Sequence, residues 1–220
     1  MANYADVTYK IKGAANEIAE IEAAVKKVME SDGYLFTLLN VLGLDREQCD
    51  RDLRGTVDDY VMEGNECMII HCTLSWNQKP LFLRCLCRMF PSCKVYWESI
   101  EPGEEIYGTN SFKEFNKKYV VISVLSGYGF DHRFETLDEA IAEVIKALDK
   151  LKVKHPMFRD KEKTQKFLTK YNEKEFEHGD GRFVELHEFD EYDDEACCWW
   201  EEQKRAFLEG RLSLKVESIL

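Results

Sequence analysis

Five histidines are the side chains of this chain that could exchange protons near neutral pH. Two of them have informative surroundings: His71 falls on one face of a predicted strand, and His132 stands in the triplet Asp131-His132-Arg133. Acid–base catalysis at either position would require a carboxylate held beside the imidazole by the fold. Isolated histidines are more often hydrogen-bonded structural residues. We therefore predict no catalytic residue, and a protein that is not an enzyme.

The eight cysteines lack the spacing of a metal site. Cys85-x-Cys87 and the adjacent Cys197-Cys198 do not match the paired CxxC pattern of zinc-binding proteins. Several cysteines fall inside predicted strands and helices, where a thiol packs as a small apolar group. The sequence also contains no phosphate-binding loop, nucleophile elbow or dinucleotide fingerprint. We expect neither a bound metal nor a cofactor.

The segment 67–103 predicts a strand, a helix and a second strand in succession. Apolar residues alternate from Met68 to Leu74, which is the period of a strand with one buried face. Apolar residues then recur at three- and four-residue spacing until Pro91, as in a short amphipathic helix that a proline ends. The strand-forming residues that follow complete half of a split βαβ unit.

The residues before this segment extend the pattern to the N-terminus. Alternation over 7–11 predicts a first strand, and Asn16 is a candidate N-cap for the helix that follows. Residues 34–54 form an insertion for which we predict two short helices joined near Gly43.

A second strand and a hairpin connect this insertion to the segment 67–103. Strict alternation would place Val57, Asp59 and Val61 on one face of that strand, and Gly64-Asn65 is a hairpin signal. The complete order is strand, helix, strand, strand, helix, strand. This order predicts an α+β fold with a ferredoxin-like split βαβ sheet and a helical insertion.

The chain beyond this sheet predicts a strand over 119–125 and then the clearest helix of the sequence. Thr136 and Glu139 form a capping box at the start of that helix. The composition changes after it. We therefore predict two parts: a ferredoxin-like domain over 1–154 and an acidic, mostly helical C-terminal extension over 155–220.

The amino-acid composition is typical of a globular protein and is strongly acidic. There are 42 Asp and Glu against 30 Lys and Arg, which gives a formal net charge of −12 and argues against direct binding of nucleic acid. No apolar run approaches the roughly 20 residues that span a bilayer. The N-terminal residues lack the basic start and apolar core of a secretion signal. We expect a cytoplasmic protein with no membrane partner.

Four segments in order give the chain a family resemblance: NVLGL, DLRGTV, LSWNQKPLFLRCLCRMFPS and YWESIEPGEEIYGTN. They are similar to segments of a largely uncharacterised family of ferredoxin-like proteins carried by bacteriophages and mobile elements, and the match covers about residues 1–150. The positions that carry the resemblance are Trp76, Phe90, Pro91, Glu101, Gly103, Thr109 and Asn110. The longer turn after Trp76, and Tyr4-Ala5 near the N-terminus, depart from the family's pattern. The resemblance implies the fold and a mobile-element origin, and it supplies no catalytic residues.

The C-terminal part concentrates negative charge and aromatic residues. Between Glu185 and Glu202 there are nine acidic residues and no Lys or Arg. Such a stretch is either a solvated acidic face or, because aromatic anchors lie among the carboxylates, a binding surface for a basic partner. The predicted partner-binding residues are Glu188, Phe189, Asp190, Glu191, Tyr192, Asp193, Asp194, Glu195, Trp199 and Trp200.

These features favour a non-enzymatic binding protein of phage or mobile-element origin. Its expected partner is a basic surface of a host protein, such as the nucleic-acid-binding surface of a defence-system nuclease, which would make it an anti-CRISPR-like inhibitor. The alternative is a binder of single-stranded RNA or nucleotides that stacks bases on the strand residues Tyr96 and Trp97.

Overall fold

The computed structural model describes residues 4–43, 54–75, 80–101, 106–125, 132–179 and 181–192. Contacts divide the chain into two units, one formed by residues 1–111 with 192–220 and the other by residues 112–191. Both units contain helices and strands, so the predicted α+β class is confirmed. The boundary predicted after residue 154 lies inside the second unit, between two of its helices.

The described residues of the first unit form five strands and three helices. In chain order these are β1 (Tyr4–Lys12), α1 (Ala15–Met29), α2 (Leu35–Val41), β2 (Gly55–Met62), β3 (Cys67–Ser75), α3 (Pro80–Met89), β4 (Lys94–Glu101) and β5 (Ile106–Thr109). The strands lie side by side in the order β2-β3-β1-β4-β5, and each neighbouring pair is antiparallel. The predicted succession of strands and longer helices is confirmed.

One face of this sheet packs with the helices in a single hydrophobic core. Along β1, buried Val7, Tyr9 and Ile11 alternate with half-exposed Thr8 and Lys10. The buried positions share a core with apolar residues of α1, α2 and α3. Because side chains alternate along a strand, the opposite face of the sheet carries the polar set.

The hairpin between β2 and β3 is confirmed at the predicted turn. The backbone N–H of Glu63 donates to the carbonyl of Cys67 at 2.9 Å, and Gly64 has a φ of 80°, where glycine is favoured. Most of β3 then follows the predicted alternation.

The start of α1 differs from the prediction. Its N-cap is Ala14, which has no capping side chain, and Asn16 lies inside the first turn. Ser92 takes over the capping role: its Oγ accepts a hydrogen bond from the Ala14 N–H at 2.9 Å and donates one to Glu17 at 2.6 Å. A cap supplied from 78 residues away has no local sequence signal.

Strand β2 breaks the strict alternation that the sequence predicts. Its register with β3 shifts between Val57 and Asp59, which leaves Asp58 as the extra residue of a β-bulge. Beyond the bulge, Asp59 faces His71 on the polar side of the sheet, whereas Val57 is buried in the core. The prediction that Val57 and Asp59 share a face is therefore wrong, because a single inserted residue reverses every side chain that follows it.

The first half of the predicted helical insertion is α2. Leu35, Leu38 and Leu39 of this helix are fully buried in the core of the first unit, and Tyr34 stacks on Phe36 with ring centroids 5.3 Å apart. The second half of the insertion, residues 44–53, lies outside the described residues.

The described residues of the second unit form β6 (Tyr119–Ser123), β7 (Arg133–Phe134), α4 (Leu137–Lys150), α5 (Lys161–His178), β8 (Val184–Glu188) and β9 (Asp190–Glu191). Strand β6 lies between β7 and β8, antiparallel to both. The capping box of Thr136 and Glu139 is confirmed at the start of α4. Of the predicted C-terminal extension, α5 and β8 contribute to the core of this unit, and residues 193–220 lie outside the described residues.

Helix α4 ends at a strained lysine. Lys152 has a φ of 58°, a left-handed conformation that favours glycine. Its N–H donates to the carbonyl of Asp149, and the N–H of Val153 donates to that of Leu148, both at 2.9 Å. This is the arrangement in which a helix is usually followed by glycine.

We expect Lys152→Gly to raise the free energy of unfolding of the second unit by about 1 kcal/mol, because glycine removes the steric cost of the left-handed backbone. Native-state hydrogen exchange of the α4 amides measures this effect. Exchange that is faster in the variant than in the parent protein would contradict the expectation.

Candidate functional site

The sheet face opposite the core of the first unit carries mostly polar side chains, and we call it the open face. Facing positions on four neighbouring strands place Asp59, His71, Thr8 and Glu98 in one row across it. Thr8 and His71 are half-buried, and Asp59 is exposed. Glu98 is only 3% exposed and has partners of its own, so the accessible part of the row is its β2–β3–β1 end.

The bulge of β2 fixes a carboxylate at this end. One oxygen of Asp58 accepts a hydrogen bond from the Thr56 hydroxyl and the other accepts one from the Thr73 hydroxyl, both at 2.8 Å. Thr73 in turn lies opposite Asp6 of β1. Asp6 of β1 therefore lies on one side of β3, and Asp58 and Asp59 of β2 lie on the other side; we call these three carboxylates the acidic edge.

His71 lies beside the acidic edge, between a hydroxyl and a carboxylate. Its Nδ1 is 3.2 Å from the Thr8 hydroxyl, and its Nε2 is 3.8 Å from Asp59 Oδ1. The His71 and Asp59 side chains are 42% and 65% exposed. The second distance is that of an ion pair when the imidazole is protonated, and it is too long for a hydrogen bond.

This geometry suits binding better than proton relay. A catalytic imidazole usually donates an N–H hydrogen bond to an orienting carboxylate at about 2.6–3.2 Å. Thr8 lies in the middle of a central strand, and Asp59 is largely in water. Within the acidic edge, Asp58 and Asp59 are exposed, and beside His71 they offer acceptors to a cationic or hydrogen-bonding group.

The second histidine considered for catalysis also lies near an acid. His132 Nδ1 is 3.5 Å from Glu143 Oε1, and Lys146 contacts the same carboxylate at 2.8 Å. The neighbouring Asp131 lies outside the described residues. Because Glu143 contacts both His132 and Lys146, the three side chains form an ion-pair network.

The opposite end of the open face is basic but largely paired. Lys10 contacts Glu63 at 3.1 Å, and their hydrogen bond holds the pKa of that carboxyl below its usual value. The ammonium of Lys12 lies 6.0 Å from the centre of the Tyr96 ring. The open face therefore has an acidic and a basic end.

The two aromatic residues proposed as a base-stacking platform do not share a face. Tyr96 lies opposite Lys10 on the open face and is half-buried. Trp97 points into the core of the first unit and is 2% exposed. Adjacent residues of a strand point to opposite faces, so one base cannot stack on both rings.

The structure describes half of the predicted C-terminal partner-binding residues. Glu188 pairs with Lys161, and Phe189 is 2% exposed. Glu191 accepts a hydrogen bond from the Phe112 N–H at 2.8 Å, and the Tyr192 ring lies 5.9 Å from that of Trp97. Asp190 is exposed. Most of these side chains therefore have structural contacts, and the remaining predicted residues, Asp193, Asp194, Glu195, Trp199 and Trp200, lie outside the described residues.

The described cysteines are unsuited to nucleophilic chemistry. Cys67, Cys72, Cys85, Cys87 and Cys93 are buried, and none of them is part of a disulfide. Burial raises the pKa of Cys72, and burial with the nearby Glu17 carboxylate raises the pKa of Cys93 to about 12. Thiols of this kind stay protonated at neutral pH and act as small apolar side chains.

Two further kinds of site are not found in the described part of the chain. Its His, Cys, Asp and Glu side chains form no group of three or more that could hold a metal ion. None of its helices is both long enough and apolar enough to cross a membrane.

Comparison of the chain with family models, with curated proteins and with solved structures finds no match. The geometry of the open face and the distribution of charge are therefore the features that bear on function.

Sequence reasoning did not identify the acidic edge. Alternation along β1 and β3 already places Thr8, His71 and Thr73 on one polar face. The feature that alternation does not predict is the bulge at Asp58. It places Asp59 opposite His71 and lets Asp58 accept a hydrogen bond from Thr73. The adjacent acidic pair Asp58-Asp59 is the one hint in the sequence, since charged side chains and β-bulges are both common on edge strands.

Proposed function

We propose that the protein is a non-enzymatic binding protein whose partner presents a basic surface, and that its first unit is a ferredoxin-like split βαβ fold. The fold proposal is supported by the strand order β2-β3-β1-β4 with antiparallel neighbours and a helix after β1 and after β3. The observation that carries the function is the acidic edge of the open face, in a chain of net charge −12.

The acidic edge is suited to cationic groups because one of its carboxylates is already oriented. Two threonine hydroxyls hold Asp58 and leave its negative charge in place, while Asp59 beside it is 65% exposed. Carboxylates bind the planar guanidinium of arginine through paired, charge-assisted hydrogen bonds. Because Asp58 is held in place before binding, less side-chain freedom is lost when the partner arrives.

The overall charge extends the attraction beyond direct contact. A net charge of −12 favours encounter with positively charged surfaces, and its effect weakens with ionic strength. A clustered basic patch is the usual electrostatic feature of a surface that binds nucleic acid. The specific form of the proposal is therefore an inhibitor of phage or mobile-element origin, anti-CRISPR-like in its action, that covers the nucleic-acid-binding surface of a host nuclease.

We expect the double substitution Asp58→Asn and Asp59→Asn to weaken partner binding at least tenfold, because it removes two charges and keeps the shape of both side chains. The partner is first captured from a lysate of the source cells with the wild-type protein and identified by mass spectrometry. Its affinity for the purified variants is then measured by biolayer interferometry at two salt concentrations.

Two other variants make this experiment specific. Glu20→Gln with Glu30→Gln changes the net charge equally at exposed positions of α1 and its C-cap, on the core side of the sheet, and it should bind like the wild type. Charge reversal at Asp190, Asp193 and Asp194 tests the C-terminal acidic stretch as the contact surface. Equal affinity of the wild type and the Asp58/Asp59 variant would exclude the acidic edge as the binding site.

A further inference from the structure

The densest positive charge of the described chain lies in the second unit. Residues 146–174 contain ten Lys and Arg against four Asp and Glu, whereas the whole chain has 30 against 42. A segment with an excess of six positive charges in so acidic a protein is not explained by binding to a basic partner.

Helix α5 arranges part of this charge in a row. Lys166, Lys170 and Lys174 are each four residues apart, so they lie on one side of the helix, and all three are exposed. We call them the lysine row. Lys163 continues it toward the N-terminus but is paired with Asp160 at 3.0 Å. Among the described residues, the three members of the lysine row form no ion pair.

The last residue of α4 and the turn that follows it add three more exposed lysines, Lys150, Lys152 and Lys154. The turn is held to the second unit by its neighbours: His155 Nε2 lies 3.1 Å from Asp149, and the His155 ring stacks on buried Phe158 at 5.6 Å. A hydrogen bond with the Pro156 carbonyl raises the pKa of His155, which favours a further positive charge here. Lys152 has a left-handed backbone conformation, with a φ of 58°, that glycine would adopt at a lower free-energy cost.

We propose that the lysine row of α5 binds the phosphodiester backbone of nucleic acid without sequence preference. Its members span about 12 Å along the helix at 1.5 Å per residue. One strand of B-form DNA carries a phosphate about every 3.4 Å, so the row covers several phosphates. Lysine is a flexible point charge, and backbone contacts of this kind supply affinity without reading bases.

Other anionic partners fit the row less well. An amphipathic helix that binds membranes must insert its apolar face, but Leu168 and Tyr171 of α5 are buried in the core of the second unit. A protein interface usually has an aromatic or arginine anchor at its centre, and the lysine row has neither. Glu162 and Glu173 border the row and limit the contact to a narrow strip, as a single backbone requires.

The proposal is independent of the acidic edge and of Tyr96. The net charge of the chain argues against nucleic-acid binding only if the charge is evenly distributed. In the described part of the second unit, Lys and Arg balance Asp and Glu, and the positive charges are gathered in 146–174. Over a Debye length of about 8 Å at physiological salt, a phosphate near the row interacts chiefly with these lysines.

The test is fluorescence anisotropy of mixed-sequence oligonucleotides, single- and double-stranded, titrated with the full chain at several salt concentrations. We expect micromolar binding at about 50 mM salt that weakens steeply as salt rises. The triple variant K166Q/K170Q/K174Q should lose at least tenfold in affinity, and its log–log salt slope should be smaller by about two to three. No anisotropy change at about 100 µM protein would overturn the proposal.

The matched control K26Q/K27Q/K113Q removes the same charge from exposed positions outside the lysine row and should bind like the wild type. Equal losses in the two triple variants would overturn the assignment to α5. Stronger binding to anionic lipid vesicles than to oligonucleotides would overturn the assignment to nucleic acid. Circular dichroism melts should be unchanged in both variants, because exposed Lys→Gln substitutions have little effect on stability.

Three further variants separate this proposal from the alternatives. Tyr96→Ala should keep oligonucleotide binding, and its loss would instead support the stacking of bases on the open face. Lys152→Gly should bind oligonucleotides less tightly than the wild type does, although its second unit is more stable. Unchanged affinity would exclude the turn after α4 from the binding surface. The Asp58/Asp59 variant should bind the protein partner more weakly and bind oligonucleotides like the wild type. The K166Q/K170Q/K174Q variant should bind oligonucleotides more weakly and bind the protein partner like the wild type.

Discussion

Replacing Phe82 with alanine is expected to lower the free energy of unfolding of the first unit by about 3–5 kcal/mol. Phe82 of α3 is fully buried, and its ring centroid lies 4.8 Å from that of Tyr9 on β1. Alanine would leave a cavity between the helix and the central strand, with the loss of an aromatic contact. The effect is large because a packed core relaxes only partly around a cavity.

Urea denaturation followed by tryptophan fluorescence measures this change. Trp97 is buried in the core of the first unit, so its emission changes when that unit unfolds. Tyr4→Ala is the matched control, because this ring is 63% exposed in the same unit and its removal should change the stability by less than about 0.5 kcal/mol. A loss below 1 kcal/mol for Phe82→Ala would mean that α3 does not pack on β1.

Replacing Gly55 with alanine is expected to lower the free energy of unfolding of the first unit by about 3 kcal/mol. Gly55 begins β2 with a φ of 144°. A Cβ added there would lie 2.5 Å from the Thr73 carbonyl oxygen and 2.7 Å from the Leu74 Cα, and neither is a side-chain atom that could move aside. The strain and the clash act together, and either the strand β2 or its partner β3 must shift.

Gly64→Ala separates these two contributions. Gly64 has a φ of 80°, but a Cβ there would meet no atom within 4 Å. This variant should therefore lose only the backbone term, about 1 kcal/mol. Equal losses at the two positions would contradict the close approach of β2 to β3. Because Asp58 and Asp59 follow Gly55 on the same strand, we also expect Gly55→Ala, and not Gly64→Ala, to weaken partner binding.

The elements that the sequence predicts well are those whose signals are local. Alternation of apolar residues predicts β1 and β3, and the Gly64-Asn65 pair predicts the hairpin between β2 and β3. The capping box of Thr136 and Glu139 predicts the start of α4. Each signal depends on residues a few positions apart, which share a strand face, a turn or a helix end in almost any tertiary context.

The features that the sequence does not predict depend on distant partners. Ser92 caps α1 from another part of the chain, so Asn16 was the wrong candidate. Strand β8 pairs with β6, about 60 residues earlier, which places both inside the second unit. The bulge at Asp58 is a matter of register between two strands, and no local pattern of residues determines it.

The net charge of the chain indicates the kind of partner, but it does not show how charge is distributed along the chain. The net charge of −12 favours a basic partner, and the acidic stretch beyond Glu185 accounts for much of it. The same average concealed the positive segment 146–174, which a count of charges by segment would have found. It also could not show that Glu188 and Glu191 have structural contacts.

Competition with nucleic acid for the captured partner tests the proposed function most directly. A labelled oligonucleotide bound to the partner is titrated with the K166Q/K170Q/K174Q variant, so that the lysine row cannot itself hold the probe. The proposed function predicts complete displacement of the oligonucleotide, and displacement at least tenfold weaker when Asp58→Asn and Asp59→Asn are added. A stable ternary complex of partner, oligonucleotide and this protein would contradict it.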